Sequence, residues 1–248
     1  MRVKKPGIAG SVKLKVSFGT VIEYDTNSKV VWSWLSSDYF MQRELKRKKN
    51  ITAILDSHEN AFFFDEQKKN VYVSFKNYNE VLKINYADRQ VSNAYGKTGD
   101  KDTSCPLFSH QHSCKISKKG FLYLFNNNMC NPGTTPSALV LEETAGGALK
   151  VIWEYAHPYE GDFTRQRLLE GASGGNVIEL PGDDMFVSMC NPYSNVFIVS
   201  HNKEILWDAQ LEKFNVLEKK WDKLLSYRYS IILNRKELEH LVWGENIE

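Results

Sequence analysis

Three short aromatic and β-branched segments recur along this chain in the same surroundings, and this repeat limits the possible folds more than any other feature. The segments are Val71–Phe75, Phe121–Phe125 and Met185–Met189. Each follows a short strand-like run and a polar turn, and each is followed by a third run. The third runs are Glu80–Asn85, Ser137–Glu142 and Asn195–Ser200, and fourth runs are clear at Lys150–Tyr155 and Glu204–Trp207. Four antiparallel strands repeated at intervals of roughly 50 to 65 residues are typical of β-propeller blades.

These units predict an all-β protein, a single β-propeller domain of four-stranded antiparallel blades over residues 1–248. Full blades are expected at about residues 51–100, 101–160 and 161–212, and partial blades at 1–50 and 213–248. The strand pairs of the partial blades are Thr20–Asp25 with Lys29–Trp34 and Tyr227–Leu233 with Glu237–Trp243. A β-sandwich also has alternating strands, but the repeated strand order favours the propeller.

Helical spacing occurs in two segments that separate blades, Asp38–Lys48 and Leu211–Leu225. In the second segment, apolar residues recur at positions that share one face of a helix. These residues are Phe214, Leu217, Trp221, Leu224 and Leu225. The spacing therefore predicts one helix in each segment.

Charge and composition exclude several classes of protein. The 32 Lys and Arg residues nearly balance the 30 Asp and Glu residues, so the formal charge of +2 gives no reason to expect a nucleic-acid-binding surface. No apolar run approaches the roughly 20 residues that cross a bilayer, so no membrane span is expected. The basic segment Met1–Gly7 has no apolar stretch of signal-peptide length after it.

The four cysteines leave the redox compartment open. They contain no Cys-x-x-Cys pair, so the chain has neither a thioredoxin-like motif nor a standard zinc knuckle. Cys105 and Cys114 are close enough in sequence to form a disulfide, and free buried thiols are an equal alternative.

Candidate functional residues come from the segments that begin each blade. The first strand of a propeller blade lines the central channel, so the polar residues of successive first strands converge on one axis. The relevant segments are Asp56–Asn60, Ser109–Cys114, Ser173–Asn176 and Ser226–Tyr229. Three of the six histidines lie in two of these segments, which favours a functional site over a purely structural scaffold.

Several of these segments resemble the arylsulfotransferase propeller family. The motifs are His58–Asn60 followed by Val71–Phe75, Gln111-His112 followed by Leu124–Asn128, the stretch Ser173–Asp183, and the blade-ending strands Ile205–Trp207 and Val30–Trp32. The resemblance runs over most of residues 20–245 and implies a six-bladed, usually periplasmic enzyme. Such an enzyme moves a sulfuryl group from an aryl sulfate to a phenol through a transiently sulfated histidine, without a nucleotide sulfate donor or a cofactor. Three full and two partial units would then form an incomplete ring.

The resemblance assigns roles to individual residues. His58 and His112 match functional histidines of the family, while Asn60, Gln111 and Asn127 would orient substrate or imidazole rings. The family also uses an arginine and a further histidine, but Gly175-Asn176 stands where the third blade begins. Arg228 is the best remaining cation on a channel-facing segment. The predicted catalytic residues are therefore His58, His112 and Arg228.

Two other functions remain open on sequence alone. The missing arginine and histidine suggest a non-catalytic propeller that binds a ligand or protein through its channel face. His110, His112 and Cys114 alternate along one predicted strand, so a hydrolase with zinc bound there is a third hypothesis. The preferred prediction contains no metal. Its partners are a small aryl sulfate and a phenol, with no prediction of oligomeric state.

Overall fold

The structure is a computed structural model that describes residues 2–4, 11–13, 16–47, 55–96, 105–130, 135–156, 174–189, 195–224 and 227–231. The chain divides into two compact units, Met1–Glu154 and Tyr155–Glu248. Four-stranded antiparallel sheets of the propeller-blade type dominate it, so the predicted all-β fold class is confirmed. In the described residues, no helix has the length and apolar character needed to span a membrane.

The first unit begins with short strand pairs and the one predicted helix that is confirmed. Antiparallel β1 (Arg2–Lys4) and β2 (Ser11–Lys13) form one pair, and parallel β3 (Val16–Ser17) and β6 (Leu55–Asp56) form another. The predicted hairpin is β4 (Thr20–Tyr24) with β5 (Val30–Leu35). Helix α1 covers Ser36–Arg47, close to the predicted segment.

The first four-stranded sheet contains β7 (Glu59–Asp65), β8 (Asn70–Phe75), β9 (Glu80–Asn85) and β10 (Val91–Gly96), side by side in sequence order. A short 3-10 turn, Lys76–Tyr78, connects β8 to β9. The second contains β11 (His112–Ile116), β12 (Leu122–Asn126), β13 (Ser137–Glu143) and β14 (Leu149–Ala156). The second and third strands are almost wholly buried, because their long β-branched and aromatic runs have a covered surface on both faces.

Helix α1 attaches to the first sheet through an aromatic cluster and a buried ion pair. Phe40 is fully buried and stacks on Tyr78, with ring centroids 4.4 Å apart. Arg43 lies over the same ring, and its Nη1 atom donates to both carboxylate oxygens of Glu80 at 2.9 Å. Glu80 is completely buried, so the Arg43 guanidinium compensates a charge that would otherwise be costly to desolvate.

The second unit contains the third four-stranded sheet, made of β15 (Asn176–Glu179), β16 (Met185–Ser188), β17 (Asn195–Val199) and β18 (Ile205–Gln210). A 3-10 turn at Pro181–Asp183 joins β15 to β16. All three predicted four-strand units are therefore present with the expected strand order.

The helix predicted at Leu211–Leu225 is wrong. Its described residues form a hairpin of β19 (Glu212–Asn215) and β20 (Lys220–Lys223). The Asn215 Oδ1 atom accepts hydrogen bonds from the backbone N–H groups of Leu217 and Glu218, which makes the turn instead of a helical one. Phe214 pairs with Trp221 across the two strands, with ring centroids 5.3 Å apart.

The strand predicted at Tyr227–Leu233 is wrong over its described part, because residues 227–231 are not in a strand. Their backbone instead bonds to the third sheet. Gly175 N donates to Tyr227 O at 2.8 Å, and Tyr229 N donates to Ser188 Oγ at 3.0 Å. The rest of that strand, and its predicted partner Glu237–Trp243, lie outside the described residues.

Two alternatives were open for Cys105 and Cys114: the disulfide between them does not form, and the buried free thiol holds for Cys114 only. Cys105 forms a disulfide with Cys130, and Cys114 is a buried free thiol. Cys114 packs in the apolar core with Phe108 and Leu124, where burial raises the pKa of its thiol. Cys105 and Cys130 lie on either side of the β11–β12 hairpin, at its open end.

Candidate functional site

His58 stands in a tight turn just before β7. Its φ of 52° is in the left-handed region, which is uncommon for a residue with a side chain. The Asp56 Oδ1 atom accepts the His58 backbone N–H at 3.0 Å, and His58 O accepts the Lys76 backbone N–H at 3.1 Å. These two bonds hold the half-buried His58 at the end of the first sheet.

His110 and His112 occupy the turn that leads into β11. His110 also has a left-handed φ, of 50°, and its backbone N–H donates to Asn79 Oδ1 at 2.8 Å. The Asn79 carbonyl lies against Gly96, where an added Cβ would collide with Asn79 O. The turn before β11 is therefore attached to the β8–β9 turn of the neighbouring sheet.

Asn127 links the two histidines of this turn. Its Nδ2 atom donates to His110 O at 2.7 Å and lies 2.9 Å from His112 Nδ1, which is itself 3.0 Å from His110 O. A carbonyl oxygen only accepts, so a proton on Nδ1 points at His110 O and leaves the lone pair on Nε2. In the other tautomer Nδ1 carries no proton and accepts a hydrogen bond from Asn127 Nδ2. His112 is completely buried in either case.

A second set of bonds joins the segments that begin the two blades of the first unit. Asn60 Nδ2 donates to Gln111 O at 2.6 Å. Gln111 is fully buried, and its Nε2 atom donates to Ser74 Oγ and to Glu80 O, both at 3.0 Å. The amide nitrogens of Asn60 and Gln111 therefore connect the two sheets, and a contact of either residue with substrate stays a prediction.

The half-buried His110 lies in a positively charged environment. Burial, followed by the charges of Lys76 and His58, lowers the pKa of His110 below its usual value of 6.5. Sequence reasoning assigned no role to Lys76 and considered His110 only as a possible zinc ligand. The strand pattern contained a signal for Lys76. In an antiparallel pair, the residue that follows the second strand lies beside the residue that precedes the first strand. The register Glu59↔Phe75 places Lys76 opposite His58 in this way.

The geometry does not favour the zinc hypothesis. Ser113 has a φ of 57°, and the β11–β12 register shifts between His112 and Lys115, so the simple alternation that grouped the three candidate ligands is interrupted. Cys114 points into the apolar core described above. Among the residues that the structure describes, no three His, Cys, Asp or Glu side chains form a group suited to a metal ion.

Five of the six predicted site residues lie in the first unit, and Arg228 lies in the second. The Arg228 guanidinium is 5.6 Å from the centroid of the Tyr227 ring. Within the first unit, a pocket of about 480 Å³ opens beside Asn60, between β4 and β7. Its apolar lining residues are Val21, Ile22, Ala61, Phe62 and Val73, with Thr20, Glu59 and Asn60 as polar members.

The model of the arylsulfotransferase (ASST) family matches residues 8–144. This chain belongs to the arylsulfotransferase family. The matched region contains His58, Asn60, Gln111, His112 and Asn127, whereas Arg228 lies beyond it. No curated protein matches the chain at a significant level.

The solved structures found to be similar to this arylsulfotransferase-family chain share little of its sequence. A protein of unknown function from Bacteroides caccae has 10% identity and a TM-score of 0.44, over 80% of this chain and 62% of its own. BamB from Moraxella catarrhalis has 9% identity and a TM-score of 0.43, over 88% and 54%. The Cps50 (Swd1) β-propeller domain from Myceliophteria thermophila has 10% identity and a TM-score of 0.41, over 80% of this chain and 50% of its own. The chain thus spans half to three-fifths of the length of these proteins.

Proposed function

We propose that the protein transfers a sulfuryl group from an aryl sulfate to a phenol through a sulfated histidine, without a nucleotide sulfate donor. One observation carries the proposal. Inside the region that matches the family, hydrogen bonds attach the turn of His58 and the turn of His110 and His112 to the same β8–β9 turn. Imidazole is a nucleophile suited to such covalent transfer.

Accessibility favours His58 over His112 as the sulfuryl acceptor. His58 is partly exposed, whereas the ring of His112 is buried and contacts the His110 carbonyl and Asn127. We assign His112 and Asn127 to positioning the turn that carries His110. The catalytic role predicted for His112 then becomes an indirect one.

The reaction takes two steps. A neutral imidazole nitrogen of His58 attacks sulfur, a nitrogen–sulfur bond forms, the bond from sulfur to the aryl oxygen breaks, and an aryl oxide leaves with the electron pair. The phenol oxygen then attacks the same sulfur, the nitrogen–sulfur bond breaks, and the phenol proton is released. Positive groups that face the sulfuryl oxygens lower the barrier of both steps by neutralising developing charge.

The pocket between β4 and β7 supports an aromatic substrate. Its walls are mainly apolar, and it lies beside Asn60, two residues after the proposed nucleophile. An apolar concave surface with a few polar groups suits an aromatic ring whose orientation the polar groups fix.

A second candidate function is ligand binding through the same face without turnover. The complete burial of His112 and the structural use of the Gln111 amide nitrogen favour it, since both reduce the number of groups available for chemistry. Binding of an aryl sulfate without release of its phenol, under any acceptor, would support this function over transfer.

The disulfide between Cys105 and Cys130 supports a location outside the reducing cytoplasm, and we propose a periplasmic or otherwise extracytoplasmic one. Thiol labelling of the protein in intact cells tests this proposal. The cells are quenched in denaturant that contains the label. Absence of label on Cys105 and Cys130 before reduction agrees with the proposal, and label on both contradicts it.

The test of transfer is release of nitrophenolate from 4-nitrophenyl sulfate with an excess of phenol. We expect release that depends on phenol and is abolished in His58→Asn. Asparagine is the suitable replacement because it tolerates the left-handed backbone at this position. The matched control is His201→Asn, an exposed turn residue of the second unit. Equal rates in wild type and His58→Asn would rule out His58 as the acceptor.

A further inference from the structure

Three positively ionisable side chains gather at one end of the first unit, although they come from three separate turns. They are His58 before β7, Lys76 after β8 and His110 before β11. Each is partly exposed, so solvent or a ligand has access to them. The resemblance to the family had singled out only His58.

The turns that carry these side chains are fixed to one another by hydrogen bonds. His58 O accepts the Lys76 N–H at 3.1 Å, and Asn79 N donates to Lys76 O at 3.2 Å. Asn79 Oδ1 in turn accepts the His110 N–H at 2.8 Å. A continuous chain of backbone and side-chain bonds therefore runs from His58 through Lys76 and Asn79 to His110, which limits how far the three can separate.

The surroundings of His110 disfavour its positive charge. Burial and the neighbouring charges of Lys76 and His58 act together against the protonated form of His110. The nearby carboxylate of Asp56 accepts the His58 backbone N–H. Glu80, at the end of the β8–β9 turn away from Lys76, is paired with Arg43. An anion bound beside Lys76 would offset its charge and favour the protonated form of His110.

We propose that Lys76, together with His58 and His110, binds the sulfate group of the aryl sulfate at the site where the turns before β7, after β8 and before β11 meet. This inference rests on the proposed function and extends it to a residue with no role so far. Lys76 supplies a permanent positive charge, and His110 donates a hydrogen bond to a sulfate oxygen. Lys76 is a point charge, so it binds the anion without bidentate geometry.

Isothermal titration of the whole protein with sodium sulfate, against a background of sodium chloride at matched ionic strength, tests this site without any need for turnover. We expect Lys76→Gln to weaken sulfate binding by about tenfold, the loss of one charge-assisted hydrogen bond. Lys76→Arg should keep affinity within about threefold, because the charge is retained. The matched control is Lys29→Gln, which removes the same charge from the exposed β4–β5 turn.

Thermal unfolding of each variant separates a lost ligand from a lost fold. Weaker binding in Lys76→Gln with an unchanged melting temperature, and wild-type binding in Lys29→Gln, supports the site. Absence of sulfate binding in wild type, or equal affinity in wild type and Lys76→Gln, overturns it. Sulfate binding that depends on Lys76 without any transfer activity would refute the proposed catalysis while leaving the anion site in place.

Discussion

Removing the disulfide between Cys105 and Cys130 should destabilise the protein and loosen the candidate site together. The two cysteines are 25 residues apart, and the loop that they close contains His110, His112 and Asn127. In the chain-entropy description, cross-linking a loop of this length lowers the entropy of the unfolded state enough to contribute about 3.5 kcal/mol at 25 °C. Ser109 Oγ accepts the Cys130 N–H at 2.8 Å, so the same end of the hairpin is also hydrogen-bonded.

The assay is urea unfolding of wild type and of the double variant Cys105→Ser/Cys130→Ser, followed by tryptophan fluorescence. We expect the free energy of unfolding to fall by about 3.5 kcal/mol, and amide exchange at Asn127 and Asn128 to become faster. The control is reductant, which should destabilise wild type to the level of the double variant and leave the double variant unchanged. A difference below about 0.5 kcal/mol would refute the reasoning, since it would show that the bond does not constrain the unfolded chain.

Three further perturbations have directions that the geometry determines. Glu80→Gln should reduce the free energy of unfolding in urea by about 3 kcal/mol, because Arg43 loses a charge partner in a largely buried site; no measurable loss would contradict the importance of this pair. Gly96→Ala should lower the melting temperature clearly more than Gly182→Ala. Both glycines have positive φ, but of the two only at Gly96 would the added Cβ collide with backbone atoms. Equal shifts in melting temperature would contradict the argument. Because the pKa of His110 is lower in the folded state, the unfolded state binds more protons below pH 6.5, so stability should fall as pH drops through that region. His110→Asn should flatten this dependence in pH-stepped unfolding, and an unchanged slope in the variant would show that another group causes it.

Local pattern was sufficient to predict the blades. In Asn70–Phe75 and Glu80–Asn85 the strand-forming residues are bounded by polar turns, and nothing beyond neighbouring residues is needed to see them. The same approach failed at Leu211–Leu225, because apolar residues at 214, 217 and 221 suit both a helix and a two-strand hairpin. The Asn215 turn decided between the two, and its hydrogen bonds are invisible in periodicity.

The candidate site shows the same division. His58 and the Gln111-His112 pair were predicted because each begins a blade, and the structure attaches both turns to one neighbour. Lys76 was missed because its place depends on the β7–β8 register. Cys105 pairs with Cys130 while the Cys114 side chain is buried in the apolar core. Spacing along the chain does not show which cysteine side chains are buried.

The central claim is that a histidine of the first unit accepts a sulfuryl group, and intact-mass analysis tests it most directly. Wild-type protein mixed with 4-nitrophenyl sulfate, without any phenol, should gain the mass of one sulfuryl group. Fragmentation should place that group on His58, and His58→Asn should show no gain while His201→Asn behaves as wild type. An unmodified mass in folded wild-type protein that binds the aryl sulfate would contradict covalent transfer and leave the ligand-binding function.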